Sequence, residues 1–155
     1  MSTRSIWIGE SSFEHVRRVR ASVEDARALF GDVHGWVKMQ PLVLALDELP
    51  GEAGMYRVTE RVIVGGLPVR SQYRAWISPG PDGVRSEAWS KPAVHLRNWL
   101  GWKAEGDELA LMESVHVEAP RPLLAFVTRT AQRAHGTMLD RVVNALAERA
   151  RERGG

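Results

Sequence analysis

Two acidic side chains interrupt otherwise apolar strand patterns: Glu60 in "MYRVTERVIV" (55–64) and Glu113 in "LALMESVHVEA" (109–119). Alternate residues of a strand share a face. Glu60 therefore falls with Tyr56, Val58, Val62 and Val64, and Glu113 with Leu109, Leu111, Val115 and Val117. A carboxylate in apolar surroundings either pairs with a cation or holds its proton more tightly than usual, and the second state is what a general acid or base needs. The competing reading is structural: both sit at a rim, or pair with Arg57, Arg70 or Arg74.

Other polar groups share the same faces. In "VRSQYRAWI" (69–77), Ser71 and Tyr73 alternate with Val69, Ala75 and Ile77; in "VHLRNWLGWKA" (94–104), Asn98 and Trp102 fall with Val94, Leu96 and Leu100. These side chains can hydrogen-bond or pack on a ligand, or satisfy one another within a sheet. His135 and Met138 lie on the apolar face of a C-terminal helix pattern, where the imidazole can donate to a ligand carbonyl or pack as core. Trp36, in the connector "GDVHGWVKMQPLV" (31–43), is either a plug beside a cavity entrance or plain core.

Several chemistries are disfavoured. The chain has no cysteine, which removes disulfides, thiolate metal sites and a cysteine nucleophile. His15, His34, His95 and His116 show no HxxxH or HxH spacing, so no metal site and no cofactor are expected. No G-x-S-x-G elbow presents a serine nucleophile, and "VGGLP" reads as a turn rather than a phosphate cradle.

The elements that must hold these residues follow from period and punctuation. "SFEHVRRVRA" (12–21) is a charged strand pattern with Phe13 and Val19 on one face. Ser22 followed by Glu24 and Asp25 has the form of a capping box, so a helix starts at Val23. Gly31 and Gly35 are read as ending that helix near Phe30 and dividing off a short second piece over 33–38. From Leu42 the chain alternates through six short-turned strand patterns, 42–49, 55–64, 69–77, 84–91, 94–104 and 109–119, which predict an antiparallel meander. After Pro120 and Pro122, Leu124, Val127, Ala131, Ala134, Met138, Val142 and Leu146 recur at helical spacing, giving a helix of roughly 28 residues, about 40 Å long. Gly136 inside it marks a bend or a close approach to the sheet.

Length and charge bound the rest. A chain of 155 residues buries roughly 70% of its unfolded surface, so residues 1–155 are read as one domain. Lys and Arg total 21 against 19 Asp and Glu, too even a balance to argue for nucleic acid. Arg149, Arg151 and Arg153 suit a helix C-terminus. No signal-peptide or membrane-spanning run is legible, so a cytoplasmic protein without integral membrane association is expected. Trp76, Trp89 and Trp99 read outward on their strands and would suit a homodimer interface.

The order strand, two short helices, six-strand meander and long terminal helix, with the capped "ASVEDA" opening and the Trp36-x4-Pro41 connector, resembles the START/Bet v 1-like superfamily, also called SRPBCC or polyketide cyclase/dehydrase-like. The resemblance implies an α+β helix-grip fold: a seven-stranded curved antiparallel sheet wrapped around the C-terminal helix, with a hydrophobic cavity between them. It also implies a hydrophobic or amphipathic ligand of lipid, polyketide or aromatic type. Three functions stay open at this point: ligand binding, which the fold favours; a polyketide cyclase/dehydratase-like enzyme using Glu60, Tyr73, Glu113 or His135; and a protein-interaction module using the outer tryptophans.

Overall fold

The computed structural model describes residues 6–154; the first five residues of the polar lead-in lie outside the described residues. The chain runs β1 (Ile8–Val19), α1 (Val23–Gly31), α2 (Val33–Val37), β2 (Val43–Glu48), β3 (Met55–Val64), β4 (Leu67–Pro79), β5 (Gly83–Ser90), β6 (Val94–Glu105), β7 (Glu108–Pro120) and α3 (Arg121–Gly154). The strands form one antiparallel sheet in the order β1-β7-β6-β5-β4-β3-β2. That order is the expected meander from β2 to β7, with β1 added beside β7, and the sheet curves around α3 as a helix grip.

Local signals explain most of the boundaries. The Ser22 hydroxyl accepts from the Asp25 backbone N–H at 3.1 Å and Asp25 Oδ2 accepts from the Ser22 N–H at 2.9 Å, closing a reciprocal capping box on α1. The break before α2 is made by Asp32, not by the glycines: Asp32 caps α2 through a 3.1 Å bond from the Gly35 N–H. Gly35 lies inside α2, where a Cβ would collide with the Asp32 carboxylate. Strand β1 begins at Ile8, earlier than its pattern predicts, because the polar stretch is paired in register with β7 from Ile8 opposite Pro120 onward.

Helix α3 has 34 residues, about 51 Å at 1.5 Å rise, longer than the apolar repeat alone predicts. Its extra C-terminal turn is held from outside: Arg153 pairs with Asp25 Oδ2 at 2.9 Å and also donates to the Ser22 hydroxyl. Gly136 makes a close approach, since a Cβ there would stand 3.3 Å from the His15 ring of β1. Beyond Gly136, Met138, Leu139, Val142 and Leu146 are fully buried in a solid core with Phe30, Leu109 and Leu111. Before it, Leu124, Val127 and Ala131 of α3 pack against Phe13, Val115 and Val117 of β1 and β7, while a cavity separates the helix from the inward faces of β3 to β5.

Candidate functional site

Between the first half of α3 and the inward faces of β3 to β6 lies a cavity of about 490 Å³. Its walls are mostly aliphatic, with Val58, Ala75, Ile77, Leu96 and Ala131 among them. Val64, Val69, Leu123 and Phe126 are both lining and solvent-exposed, so they mark the opening, between the β3–β4 hairpin and the first turns of α3. The polar groups on the wall are few, which is the usual composition of a small-molecule site.

Six of the nine sequence-predicted residues reach this wall: Glu60, Ser71, Tyr73 and Asn98 by strand alternation, Trp36 from α2 and His135 from α3. Glu60 on β3 lies opposite Ser71 on β4, with Tyr73 one inward position farther along. Burial raises the Glu60 carboxyl above its ordinary value, against smaller opposing effects of the Tyr73 hydroxyl and of His135. Tyr73 is pushed up as well, by burial first and then by the neighbouring Glu60 charge. Tyr73 therefore stays a neutral donor, and Glu60 is a carboxyl that holds its proton more readily than an exposed one.

Glu113 is fully buried behind this wall rather than on it. Its Oε2 accepts from His135 Nδ1 at 2.9 Å and from Asn98 Nδ2 at 2.8 Å. With Nδ1 donating to Glu113, the 3.4 Å approach of Asn98 Nδ2 to that nitrogen joins two donors and is not a bond. Burial acts against the charge on both members of the pair, yet the mutual attraction and hydrogen bonding win. Glu113 is held below its ordinary carboxylate value and His135 above its ordinary imidazole value, with Glu60 adding to the second effect. Nδ1 is thus committed to Glu113 and Nε2 is left for the cavity. Glu113 Oε1 and Asn98 Oδ1 are buried without partners, a cost that a purely structural pair would be expected to avoid.

The arginine pairings weighed for the two carboxylates do not form. Arg74 instead pairs with Glu52 on the outer face, while Glu113 meets an imidazole from a helix 22 residues on, a partner that no local spacing signals. Two other residues read as ligand contacts are placed elsewhere. Trp102 stacks on Phe30 at 5.1 Å and donates to the Pro81 carbonyl at 3.0 Å, and Met138 lies in the solid core beyond Gly136. Both are on the inward faces their spacing predicts, but at the end of the sheet where helix and strands meet without a gap. Trp36 does both jobs: it packs edge-on against Phe30 at 5.6 Å and lines the cavity. Of the outward tryptophans, Trp89 stacks on His95 and Trp99 lies under the Arg85 guanidinium. The alternation did not reveal the contributions of Ser86 and Ala88 on β5 and Thr130 on α3, whose small side chains carry no signal in an apolar pattern. Among the described residues, no helix is long and apolar enough to cross a membrane.

No protein-family model and no curated protein matches the chain. Solved structures do. The Zhui aromatase/cyclase from Streptomyces sp. R1128 is 16% identical with a TM-score of 0.65, over 95% of this chain and 97% of that one. The truncated norcoclaurine synthase from Thalictrum flavum is 10% identical with a TM-score of 0.65, over 92% and 94%. The di-domain ARO/CYC StfQ from the steffimycin biosynthetic pathway is 14% identical with a TM-score of 0.68, over 94% of this chain and 52% of that one.

Proposed function

Because this chain carries the START/Bet v 1-like helix-grip fold, we propose that it binds a hydrophobic or amphipathic small molecule in the cavity between the sheet and α3. The observation that carries this reading is the composition of the wall: an aliphatic chamber of about 490 Å³ with its polar groups gathered on Glu60, Ser71, Tyr73, Asn98 and His135. A ligand with an apolar body and a carbonyl or hydroxyl group suits such a wall. The body displaces water from the aliphatic surface, and the oxygen accepts from His135 or Tyr73 or donates to Glu60. Native mass spectrometry of freshly purified protein tests this, together with titration by the fluorescent probe 1-anilinonaphthalene-8-sulfonate. The reading expects a small-molecule adduct or one displaceable probe per chain, with Ser71→Trp abolishing both. A bare protein that takes up no probe would end it.

A second reading, catalysis of proton transfer on the bound molecule, is favoured by one specific observation. Across the cavity from the Glu113-backed His135 stands Glu60, close enough that each perturbs the other. Both are raised from their ordinary values, Glu60 by burial and His135 by the Glu113 charge, which makes the carboxylate a stronger base and keeps the imidazole protonated to higher pH. For a β-hydroxy ketone, ionised Glu60 would take the proton from the carbon next to the carbonyl while His135 gives a proton to the departing hydroxyl; a C=C bond forms and water leaves. Solvent-deuterium incorporation at the α-carbon of 2-tetralone, followed by NMR, isolates the first half of that step. It should be lost in Glu60→Gln, and an uncatalysed exchange rate in the unmodified protein would exclude this second reading while leaving binding intact.

A further inference from the structure

The outer face of the sheet carries a row of titratable side chains, of which all but Glu87 lie outside the cavity lining. Glu87 on β5, His95 on β6, Glu118 and His116 on β7 and Glu10 on β1 follow one another across four neighbouring strands. His116 and Glu118 are two apart on one strand, so they share a face, and Glu10 stands directly opposite Glu118 in the β1–β7 register. Like charges directly opposite one another destabilise a strand pair. A positive charge between Glu10 and Glu118 would relieve that repulsion.

The side chain between them is His116. Its Nε2 is 3.4 Å from Glu10 Oε1 and 3.9 Å from Glu118 Oε1, and this nitrogen is shielded from solvent without a hydrogen-bond partner. On the far side of the ring, Nδ1 is 3.1 Å from the Ser12 hydroxyl. In the tautomer in which Nδ1 donates to Ser12, Nε2 turns its lone pair toward the two carboxylates, the form that can share a cation with them; in the other, Ser12 donates to Nδ1 and Nε2–H faces Glu10. Nitrogen and oxygen ligands held about 2.0–2.2 Å from a tetrahedral metal lie roughly 3.3–3.6 Å apart. The two distances from Nε2 are at or a few tenths of an ångström beyond that edge, and the three ligand atoms all lie within 4.8 Å of one another. Glu10, with 63% of its side chain exposed, is free to close the remainder.

The charge of the patch agrees. Among the described residues of the row, three carboxylates, Glu10, Glu87 and Glu118, meet one guanidinium, Arg97, which approaches Glu118 Oε1 at 3.8 Å, so carboxylates outnumber guanidinium groups. From this geometry we infer that Glu10, His116 and Glu118 form a binding site for a divalent cation of the zinc type. One imidazole and two carboxylates are a ligand set that suits Zn2+, water completes the tetrahedron, and Ser12 orients the imidazole through its second nitrogen. The site joins β1, an edge strand, to β7, so bound metal clasps the edge of the sheet. The histidine spacing seen in the sequence misses it because its third ligand comes from a strand more than 100 residues away.

Isothermal titration of the tag-free full chain with ZnCl2, with Co2+ absorption as a geometric probe, tests the assignment. One equivalent should bind, with visible bands of tetrahedral intensity for Co2+ and a melting temperature raised by Zn2+. His116→Ala should abolish all three, Glu10→Gln should weaken binding, and Ser12→Ala should weaken it by about 10-fold. Should His116→Ala fail to fold, the exposed Glu10→Gln carries the same comparison. If an imidazolium alone bridges the carboxylates, Zn2+ will change nothing, and that result overturns the site. Equal Zn2+ affinity in Glu10→Gln, His116→Ala and the unmodified protein overturns it as well.

Discussion

His135 Nδ1 donates to Glu113 Oε2 at 2.9 Å, which ties the middle of α3 to the central part of β7 through a carboxylate that no solvent reaches. Removing one member leaves the other as an unpaired buried charge. His135→Ala is therefore expected to cost about 3–5 kcal/mol. Chemical denaturation measures it, and a loss well under 1 kcal/mol would mean the pair is not ionised.

The same pair fixes a pH window. Glu113, held below its ordinary 4.5, contributes stability that is present above about pH 4.5 and lost as the pH falls through its depressed value. His135, held above its ordinary 6.5, contributes stability that is complete below that pH and lost as the pH rises through its raised value. The difference in melting temperature between the unmodified protein and His135→Gln should therefore be largest between about pH 4.5 and 6.5 and shrink on both sides. A difference independent of pH would contradict the ionised pair.

Glu60 should behave in the opposite sense to Glu113. Its carboxyl is raised by burial, so its contribution is most favourable below its ordinary 4.5 and declines as the pH rises through the raised value. Glu60→Gln should raise the melting temperature at neutral pH relative to acid and flatten the pH dependence of probe binding. An unchanged pH profile would argue that Glu60 reaches solvent.

Met138 separates core from cavity. It is fully buried yet absent from the cavity wall. Met138→Ala should cost about 2–5 kcal/mol while leaving probe affinity unchanged. A large loss of affinity at unchanged stability would mean that the chamber extends beyond Gly136.

Trp36 offers a test of the connector. Its indole Nε1 is buried with no partner, so Trp36→Phe removes an unsatisfied donor at little cost in packing area. Stability should be unchanged or slightly improved, whereas quenching of tryptophan emission by a bound ligand should weaken. A loss above 2 kcal/mol would show that the indole makes a bond.

The order of elements, the capping box on α1 and the inward faces of β3, β4, β6 and β7 were legible in the sequence, because period and capping are local properties. The alternation put Glu60, Tyr73, Asn98 and Glu113 on one concave surface, and the helical repeat put His135 on the face of α3 turned toward it. Which polar group meets which was decided only by tertiary structure. Glu113 takes its proton donor from α3, Arg153 reaches back to Asp25 to lengthen that helix, and Glu10 meets His116 through a register set by strands at opposite ends of the chain. The division of the inward face into cavity and solid core was hidden for the same reason. Trp102 and Met138 obey the same spacing rules as Tyr73 and His135, and only the tertiary packing tells them apart: a core closes over the first two and a cavity opens beside the other two.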